Sequence, residues 1–453
     1  MPIHWTSTTG TSERTPAQPR TTSTHARGAI LAAGLGRRLE PLTRHLLPKP
    51  MFPIGGKIPM VELWARRLQR AGVQELCMNV CVLEETLLRH FGNGARLGAD
   101  LSFVREPVPS GTLGGVCKQV LGSAAKVLPG EQRLPEPRPF EGSTVIAPSG
   151  DIVTNLGADL LAEVIDIHRA QGAALTLVVT PIAEERRKDF GTVVLDRPMT
   201  RPGPLSLYGR VQRFVEKDPQ SPSLLNNASI YVIERNLLAE LDALRTPVAT
   251  TEAPFYDFGK HAFPAMLGEL DYAKLPGLEY PIFAVQYDGG WFDVGNKRDY
   301  LEVHRTLLDG ELDVPCAYEP MPWGAIGTQV EIDFAKVDIH PPVIIGHGCR
   351  IENGATLGPY AVIGDGWHVR AGAQIRSSVL WQRYAFHTAD GRRIEADDRA
   401  ETDAHVVGPV EVSGSIVAGG TLDRNVIDQT AQALEDGTLE LSSIDWVPAG
   451  PRA

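Results

Sequence analysis

Cysteine is scarce in this chain of 453 residues: five residues, an odd number, scattered and without a Cys-x-x-Cys pair. That spacing excludes a disulfide framework and a zinc ribbon. It points to free thiols in a reducing, cytoplasmic compartment. Aromatic residues make up only 7% of the chain, and no apolar run approaches the length that crosses a bilayer. Positive charge is also in deficit, with a formal net charge of −11, so no basic stripe is available to track a nucleic-acid backbone. Glycine and proline, in contrast, are plentiful, at 45 and 35 residues. Their positions carry most of the information.

The first 27 residues are rich in Ser, Thr and Pro and lack apolar periodicity. They read as a disordered tail, dispensable for chemistry; a secretory leader needs a continuous apolar segment, and none is present. From 28 to 313, short apolar runs alternate with helix-like stretches, which predicts an α/β domain with a mostly parallel sheet. Strands are expected at Ala29–Ala33, Leu76–Val82, Asp100–Arg105, Thr144–Ala147, Ala174–Thr180, Gly209–Glu216 and Ser229–Ile233. Helices are expected at Pro59–Ala71, Glu84–Phe91, Thr112–Leu121, Ala158–Gln171 and Tyr300–Leu308. Two Pro-rich patches, 128–140 and 197–204, read as surface loops.

Beyond a linker near 314–326, Ile339, Ile345, Ile351, Leu357, Ile363, Val369 and Ile375 recur every six residues. That period fits neither a helix nor ordinary strand alternation and predicts a parallel β-helix with one short strand per hexapeptide. The repeat supplies a little over two triangular turns within 327–415. Residues 416–453 form a tail without an assigned role, and an acidic run spans Glu395 to Asp403. His347 and His368 are weak candidates for acyl-transfer chemistry, which needs a longer helix.

The most informative stretch is Ala29-Ile-Leu-Ala32-Ala33-Gly34-Leu-Gly36-Arg37-Arg38-Leu-Glu-Pro-Leu-Thr43, followed by Pro48-Lys49-Pro50. A strand ending in glycines exposes backbone N–H groups, an arrangement that cradles phosphate oxygens, and nearby cations offset polyphosphate charge. The dinucleotide fingerprint fails because Leu39 stands where its third glycine belongs. A Walker A loop fails at Met51 and Ile58.

The complete run resembles the signature of the sugar-1-phosphate nucleotidyltransferases, with Arg37 in place of the usual small residue. Four further segments carry the resemblance: Glu106-Pro-x-x-Ser110-Gly111-Thr112-Leu-Gly114-Gly115, Ser149-Gly150-Asp151, Phe214-x-Glu216-Lys217 and Asn226-Asn227-Ala-Ser229-Ile-Tyr231. Gly290-Trp291-Phe292-Asp293-Val-Gly295 adds a sixth. The resemblance implies a Rossmann-like catalytic domain followed by a left-handed β-helix. It assigns Ala32, Ala33, Gly34, Gly36, Glu106, Gly111 and Thr112 to the nucleotide. Arg38 and Lys49 fall to the triphosphate and leaving group. Glu216, Lys217 and Asn227 fall to the sugar phosphate, and Asp151 and Asp293 to Mg²⁺. Three departures are visible besides Arg37: Ser149 for an asparagine, Ser229 for a glycine, and Asp218 ahead of the motif's proline.

The implied partners are a nucleoside triphosphate and a sugar 1-phosphate, with no nucleic acid and no membrane, in a homo-oligomer. In overall look the chain is nearest to the mannose-1-phosphate guanylyltransferases. Glucose-1-phosphate thymidylyl-, adenylyl- and uridylyltransferases share most of these features. A non-catalytic regulatory subunit of the same plan is the reading from a different class.

Overall fold

The computed structural model describes residues 26–122, 140–244, 257–269, 280–382, 386–387, 393–394, 404–433 and 439–444. The expected tail up to residue 25, most of the 128–140 loop and the acidic run at 395–403 lie outside them. The chain divides into two compact units. Of the described residues, one gathers Gly36–Met60 with those from Phe292 onward; the other holds those up to Leu35 together with those within Val61–Trp291.

The second of these contains a nine-stranded sheet. In chain order its strands are β1 (Ala26–Ile30), β2 (Glu75–Val80), β3 (Asp100–Arg105), β4 (Thr144–Pro148) and β5 (Leu175–Pro181). They continue with β6 (Gly191–Thr200), β7 (Leu207–Glu216), β8 (Leu225–Glu234) and β9 (Ile282–Gln286). Their order across the sheet is β3-β2-β1-β4-β8-β5-β9-β7-β6. The strands β3, β2, β1 and β4 run parallel to one another, which requires crossover helices. Helices at Glu84–Phe91 and Gly111–Leu121 supply two of them. Past β4 the order turns mixed, with β8 antiparallel to both β4 and β5.

Every residue of β1 and β4 is buried, as a strand covered on both faces demands. Against the expected loop at 197–204, β6 runs on to Thr200. Pro198 fits there because this stretch of β6, unlike Thr192, has a paired neighbour on one side only, so a missing N–H leaves no ladder bond unmade.

In the first-named unit, the C-terminal region forms three separate sheets of short parallel strands. Each strand pairs with the one three hexapeptides on: Val343 with Ala361, Ile351 with Val369, Leu357 with Ile375. The repeated aliphatics from Ile345 to Ile375 are buried, and Ile339 is partly buried. Two kinds of glycine serve this geometry. A Cβ at Gly346 would fall 2.5 Å from the backbone of Gly364 in the turn stacked against it, so the strands leave no room for one. Gly348 and Gly366 instead sit at corners with φ of 64° and 79°, a left-handed conformation that favours glycine.

The sheets do not stop near residue 380, where the hexapeptide repeat ends. Val379 pairs with Ile416, Val412 with Val426 and Ile416 with Thr430, so most of the described residues of the expected tail are strand. The insertion after Trp381 and the shorter later repeats destroy the six-residue period that made the earlier strands visible. One sheet is closed at each end by an antiparallel strand, Glu319–Met321 at the start and Leu439–Ser443 at the finish.

Candidate active site

In the sheet unit, the parallel strands β1, β3 and β4 deliver three of the sequence motifs to the carboxyl ends of their strands, where ligands of α/β sheets gather. The chain leaving β1 is buried through Ala32 and Ala33 and emerges at Gly34, which is exposed. The Ala32 N–H is not presented to a phosphate. It donates to Asn79 Oδ1 at 2.7 Å, so this amide orients the turn. Gly115, in the second motif, keeps that arrangement possible: a Cβ there would lie 2.6 Å from the Asn79 side-chain nitrogen. Its absence of a side chain therefore serves packing as well as any ligand. Glu106 follows β3, buried, and accepts from both the N–H and the hydroxyl of Ser110 at 3.0 and 3.1 Å. Lys118 lies 3.8 Å from the same carboxylate. Ser110 precedes the helix Gly111–Leu121 without capping it, because its hydroxyl is given to Glu106. Gly111 opens that helix at φ 77°, and Thr112 Oγ1 accepts from the Phe258 N–H at 3.0 Å.

Asp151 lies just past β4 and is held by Ser149, whose hydroxyl donates to Asp151 Oδ1 at 2.6 Å. Ser149 N–H in turn donates to the carbonyl of Ser229, at 2.9 Å. Ser229 N–H donates to Asn227 Oδ1 at 3.1 Å, and the Asn227 amide donates to Tyr231 Oη at 2.9 Å. A continuous line of hydrogen bonds therefore joins the aspartate expected at the metal to the asparagine expected at the sugar. Ser229 occupies φ 58°, inside β8, at the point where pairing with β5 slips register. A backbone bulge there turns Asn227 and Ser229 away from regular alternation. Burial pushes the Tyr231 phenol up to about 12, against the pull of its hydrogen bonds to Asn227 and Ser229.

Glu216 ends β7, Lys217 follows it, and they reach the same neighbourhood through β6. Thr192 pairs with Val215 on one side and Asn226 on the other. The Glu216 carboxyl is raised above its ordinary value by desolvation, to which Asp257 adds, while Lys217 and Lys260 oppose. Gly191 and Gly259 leave the space it fills: a Cβ on either would come within 2.8 or 2.7 Å of Glu216 Oε2. Lys217 itself adopts φ 50°, and Asp218 Oδ1 accepts from the Gln220 N–H at 2.8 Å, closing the turn that the extra residue creates. The sheet unit therefore brings Asp151, Asn227, Glu216 and Lys217 into one connected region.

The other unit holds Gly36, Arg38, Lys49 and Asp293. Gly36 sits at φ 63°, where a Cβ would meet Thr43 at 2.8 Å and the Lys49 stem at 3.2 Å. Thr43 Oγ1 donates back to the Gly36 carbonyl at 3.0 Å, fastening the turn. Lys49 is buried along its stem, and its ammonium lies 3.6 Å from Asp293 Oδ1. Arg38 is exposed, with its guanidinium nitrogens 3.3 and 3.4 Å from where a Cβ on Gly295 would stand. Gly295 is fixed in turn by its N–H, which donates to Asp299 at 3.1 Å. Two cations and one carboxylate, remote in sequence, are thus assembled by one short turn and one helix start.

Sequence reasoning passes over Asn79 as an anchor of the first motif, Thr192 as the bridge to Glu216, and the Asp257–Lys260 pair. Thr192 and Asp257 stand outside every motif, so only pairing across strands could reveal them. Among the described residues no three of His, Cys, Asp and Glu cluster as a ready-made metal site. Among them, too, no helix is long and apolar enough to cross a membrane.

Comparison with known proteins places these observations. The nucleotidyl transferase family matches residues 27–310. A UTP–glucose-1-phosphate uridylyltransferase of Synechocystis is 29% identical over 359 residues, 78% of this chain and 82% of that protein. A mannose-1-phosphate guanylyltransferase of Mycobacterium tuberculosis is 29% identical over 351 residues, 76% of this chain and 82% of that protein. A probable mannose-1-phosphate guanylyltransferase of Oryza sativa is 26% identical over 407 residues, covering 86% of this chain and 97% of its own length.

Proposed function

The chain belongs to the nucleotidyl transferase family, and we propose that it joins mannose 1-phosphate to GTP, releasing pyrophosphate and a GDP-sugar. The observation that carries an active enzyme, as opposed to a silent regulatory relative, is the approach of Lys49 to Asp293 at 3.6 Å, with Arg38 packed on Gly295. A regulatory relative has no need to keep a buried lysine stem and two further charged groups so disposed. The guanylyl and mannose assignments rest on the relatives from Mycobacterium tuberculosis and Oryza sativa. Glucose 1-phosphate with UTP is the second pair, favoured by the relative from Synechocystis.

The chemistry asks little of specialised side chains. A phosphate monoester has its second pKa near about 6, so the attacking oxygen is already ionised at neutral pH and no general base is required. A new bond forms between that oxygen and the α-phosphorus, while the bond from the α-phosphorus to the bridging oxygen breaks. The electron pair leaves with pyrophosphate. The barrier lies in bringing two anions together and in supporting charge on the leaving group, tasks for position and electrostatics.

In this reading Lys49 and Arg38 balance the triphosphate and the departing pyrophosphate. Lys217 holds the sugar phosphate. Asn227 and the partly desolvated Glu216 offer hydrogen bonds to sugar hydroxyls. Asp151 and Asp293 are the carboxylates offered to Mg²⁺, which when bound would neutralise phosphate charge. Each is a hard oxygen donor of the kind that Mg²⁺ takes alongside water and phosphate. The three parallel C-terminal sheets are read as a short left-handed β-helix.

The test is pyrophosphate release by the purified chain with Mg²⁺, across four nucleoside triphosphates and a panel of sugar 1-phosphates. Turnover greatest with GTP and mannose 1-phosphate supports the proposal. A maximum with UTP and glucose 1-phosphate replaces the substrate assignment. Silence across the panel favours the regulatory subunit.

A further inference from the structure

The segment that carries Arg38 and Lys49 is not fastened by its own short elements, which are single turns and two-residue strands. Within its compact unit it is gripped from three directions by residues from the C-terminal part of the chain. Phe52, three residues after Lys49, is fully buried and packs edge-on against Trp381 and Tyr300, with ring centroids 4.6 and 5.5 Å away. Tyr300 Oη also donates to the Pro53 carbonyl, and the Gly55 N–H donates to His304 Nε2 at 3.2 Å.

At the tip of the hairpin, Lys57 Nζ donates to Asp365 Oδ2 at 2.8 Å. The other oxygen of Asp365 accepts from Tyr318 Oη and from the His347 N–H, both at 2.9 Å. Gly56, at φ 84°, lies flat against this corner: a Cβ there would stand 3.2 Å from Val362 and 3.6 Å from Gly364. The third grip comes from the last described strand, Leu439–Ser443. Its Glu440 accepts from Arg44 at 3.1 Å, and its Ser442 hydroxyl accepts from Lys297 Nζ at 2.8 Å. Lys297 begins the helix that follows Asp293 and Gly295.

We propose that Asp365, in the C-terminal sheets, is a positioning residue for Lys49, acting through Lys57. The proposal rests on the catalytic role given to Lys49 above. Asp365 has its lone pairs shared among three donors on three different stretches of chain, so it fixes the hairpin tip relative to the stacked strands. From Lys57 the constraint runs back through the Ile54–Ile58 pairing to Phe52 and so to Lys49. A displacement of about 1 Å at an ammonium that must meet a phosphate oxygen is enough to cost about tenfold to about a hundredfold in rate. His347, weighed as an acyl-transfer candidate from sequence, acquires a different use here: its backbone N–H helps to hold Asp365, and its ring accepts from the Thr328 N–H at 2.9 Å.

The experiment uses the full chain with Asp365→Asn and Lys57→Met, singly and together. Three quantities are read: kcat and KM for pyrophosphate release at a temperature where all variants are folded, the unfolding midpoint, and hydrogen exchange of the peptides covering 48–58. The expected result is a fall in kcat of about tenfold or more. KM for the sugar phosphate stays within about twofold, and the double variant is no worse than the single ones. Exchange at 48–58 is expected to quicken about fivefold, with the peptides of β1 and β4 unchanged. Unaltered kcat and unaltered exchange overturn the proposal, as does a loss of kcat that disappears once corrected for unfolded protein. If the parent chain proves inactive on every substrate pair while exchange at 48–58 still quickens, the catalytic reading has failed and the grip itself stands. An active parent with unperturbed variants leaves the catalytic reading intact and overturns the positioning role.

Discussion

Replacing Asp293 by asparagine separates catalytic from structural use of the Lys49–Asp293 pair. The side chains are 10% and 31% exposed and the charged atoms are 3.6 Å apart. Two unit charges at that distance attract by about 1 kcal/mol in bulk water and by about 5 kcal/mol at an effective dielectric of about 20. Partial exposure of Asp293, and the oxygen acceptor that asparagine retains, place the expected loss of folding stability toward the lower part of that range, at about 1–2 kcal/mol. Turnover should suffer far more. If the carboxylate is one of two offered to Mg²⁺, its loss should lower kcat by about 10³ or more, equivalent to about 4 kcal/mol of barrier. The Mg²⁺ concentration giving half-maximal rate should rise as well. Urea titration gives the first quantity and pyrophosphate release against Mg²⁺ concentration gives the others. A variant that stays within about tenfold of the parent rate at saturating Mg²⁺ refutes the assignment. So does a rate loss no larger than the unfolded fraction accounts for.

Gly295→Ala should fold normally yet turn over more slowly, by about threefold to about tenfold, because its Cβ would press on the Arg38 guanidinium at 3.3 Å; steady-state rates beside an unchanged circular-dichroism spectrum check it. Ser229→Ala should destabilise by about 1–2 kcal/mol and Ser229→Gly by less. Alanine keeps the strain of φ 58° and loses the hydroxyl bonded to Tyr231, whereas glycine relieves the strain; urea midpoints decide the order. The neutral His304 ring is held at about 4 by burial, from an ordinary 6.5. The unfolded chain therefore binds a proton first, and stability should fall between about pH 6.5 and pH 4 by up to about 3 kcal/mol. His304→Gln should flatten that slope. Glu62 adds a second, lower window: burial alone would raise it, but hydrogen bonds from His90 and Arg96 and the nearby charges pull it down to about 2. The stability it contributes should be lost as pH falls from about 4.5 toward 2, and Glu62→Gln should remove that part of the acid limb.

Elements whose signal is local are legible in the sequence. The helices at 60–70, 84–91 and 158–170 can be read to within a residue or two at each end, because apolar periodicity and the following glycine or polar residue set them. The hexapeptide aliphatics from Ile345 to Ile375 are legible because one residue type recurs at one interval. What the sequence hides depends on distant partners. The strand β9 and the continuation of β6 to Thr200 are extended because neighbours pair with them, despite Pro198. The strands from 404 onward join the C-terminal sheets across an insertion that erases their period. The same holds at the site: Asp151, Lys49 and Asp293 stand out by motif, whereas Thr192, Asp257 and the bond that Asn79 makes to the first motif become visible only through what these residues touch.

The two serines that depart from the family pattern bear on the choice between an enzyme and a silent relative. They are far apart in sequence and adjacent in space, joined by the 2.9 Å bond from Ser149 N–H to the Ser229 carbonyl. Each also has a further partner: the Ser149 hydroxyl holds Asp151, and the Ser229 hydroxyl bonds Tyr231. A non-glycine residue at φ 58° carries a cost of order 1–2 kcal/mol, and such strain persists only where surrounding bonds over-determine it. Here they do, through Asn227, Tyr231 and Ser149. Strain maintained by a satisfied polar network, with Asp151 at one end and the Asn227 side chain at the other, fits the catalytic use proposed for these two residues. A site released from catalytic use would have no physical reason to retain both the strain and the bonds that hold it.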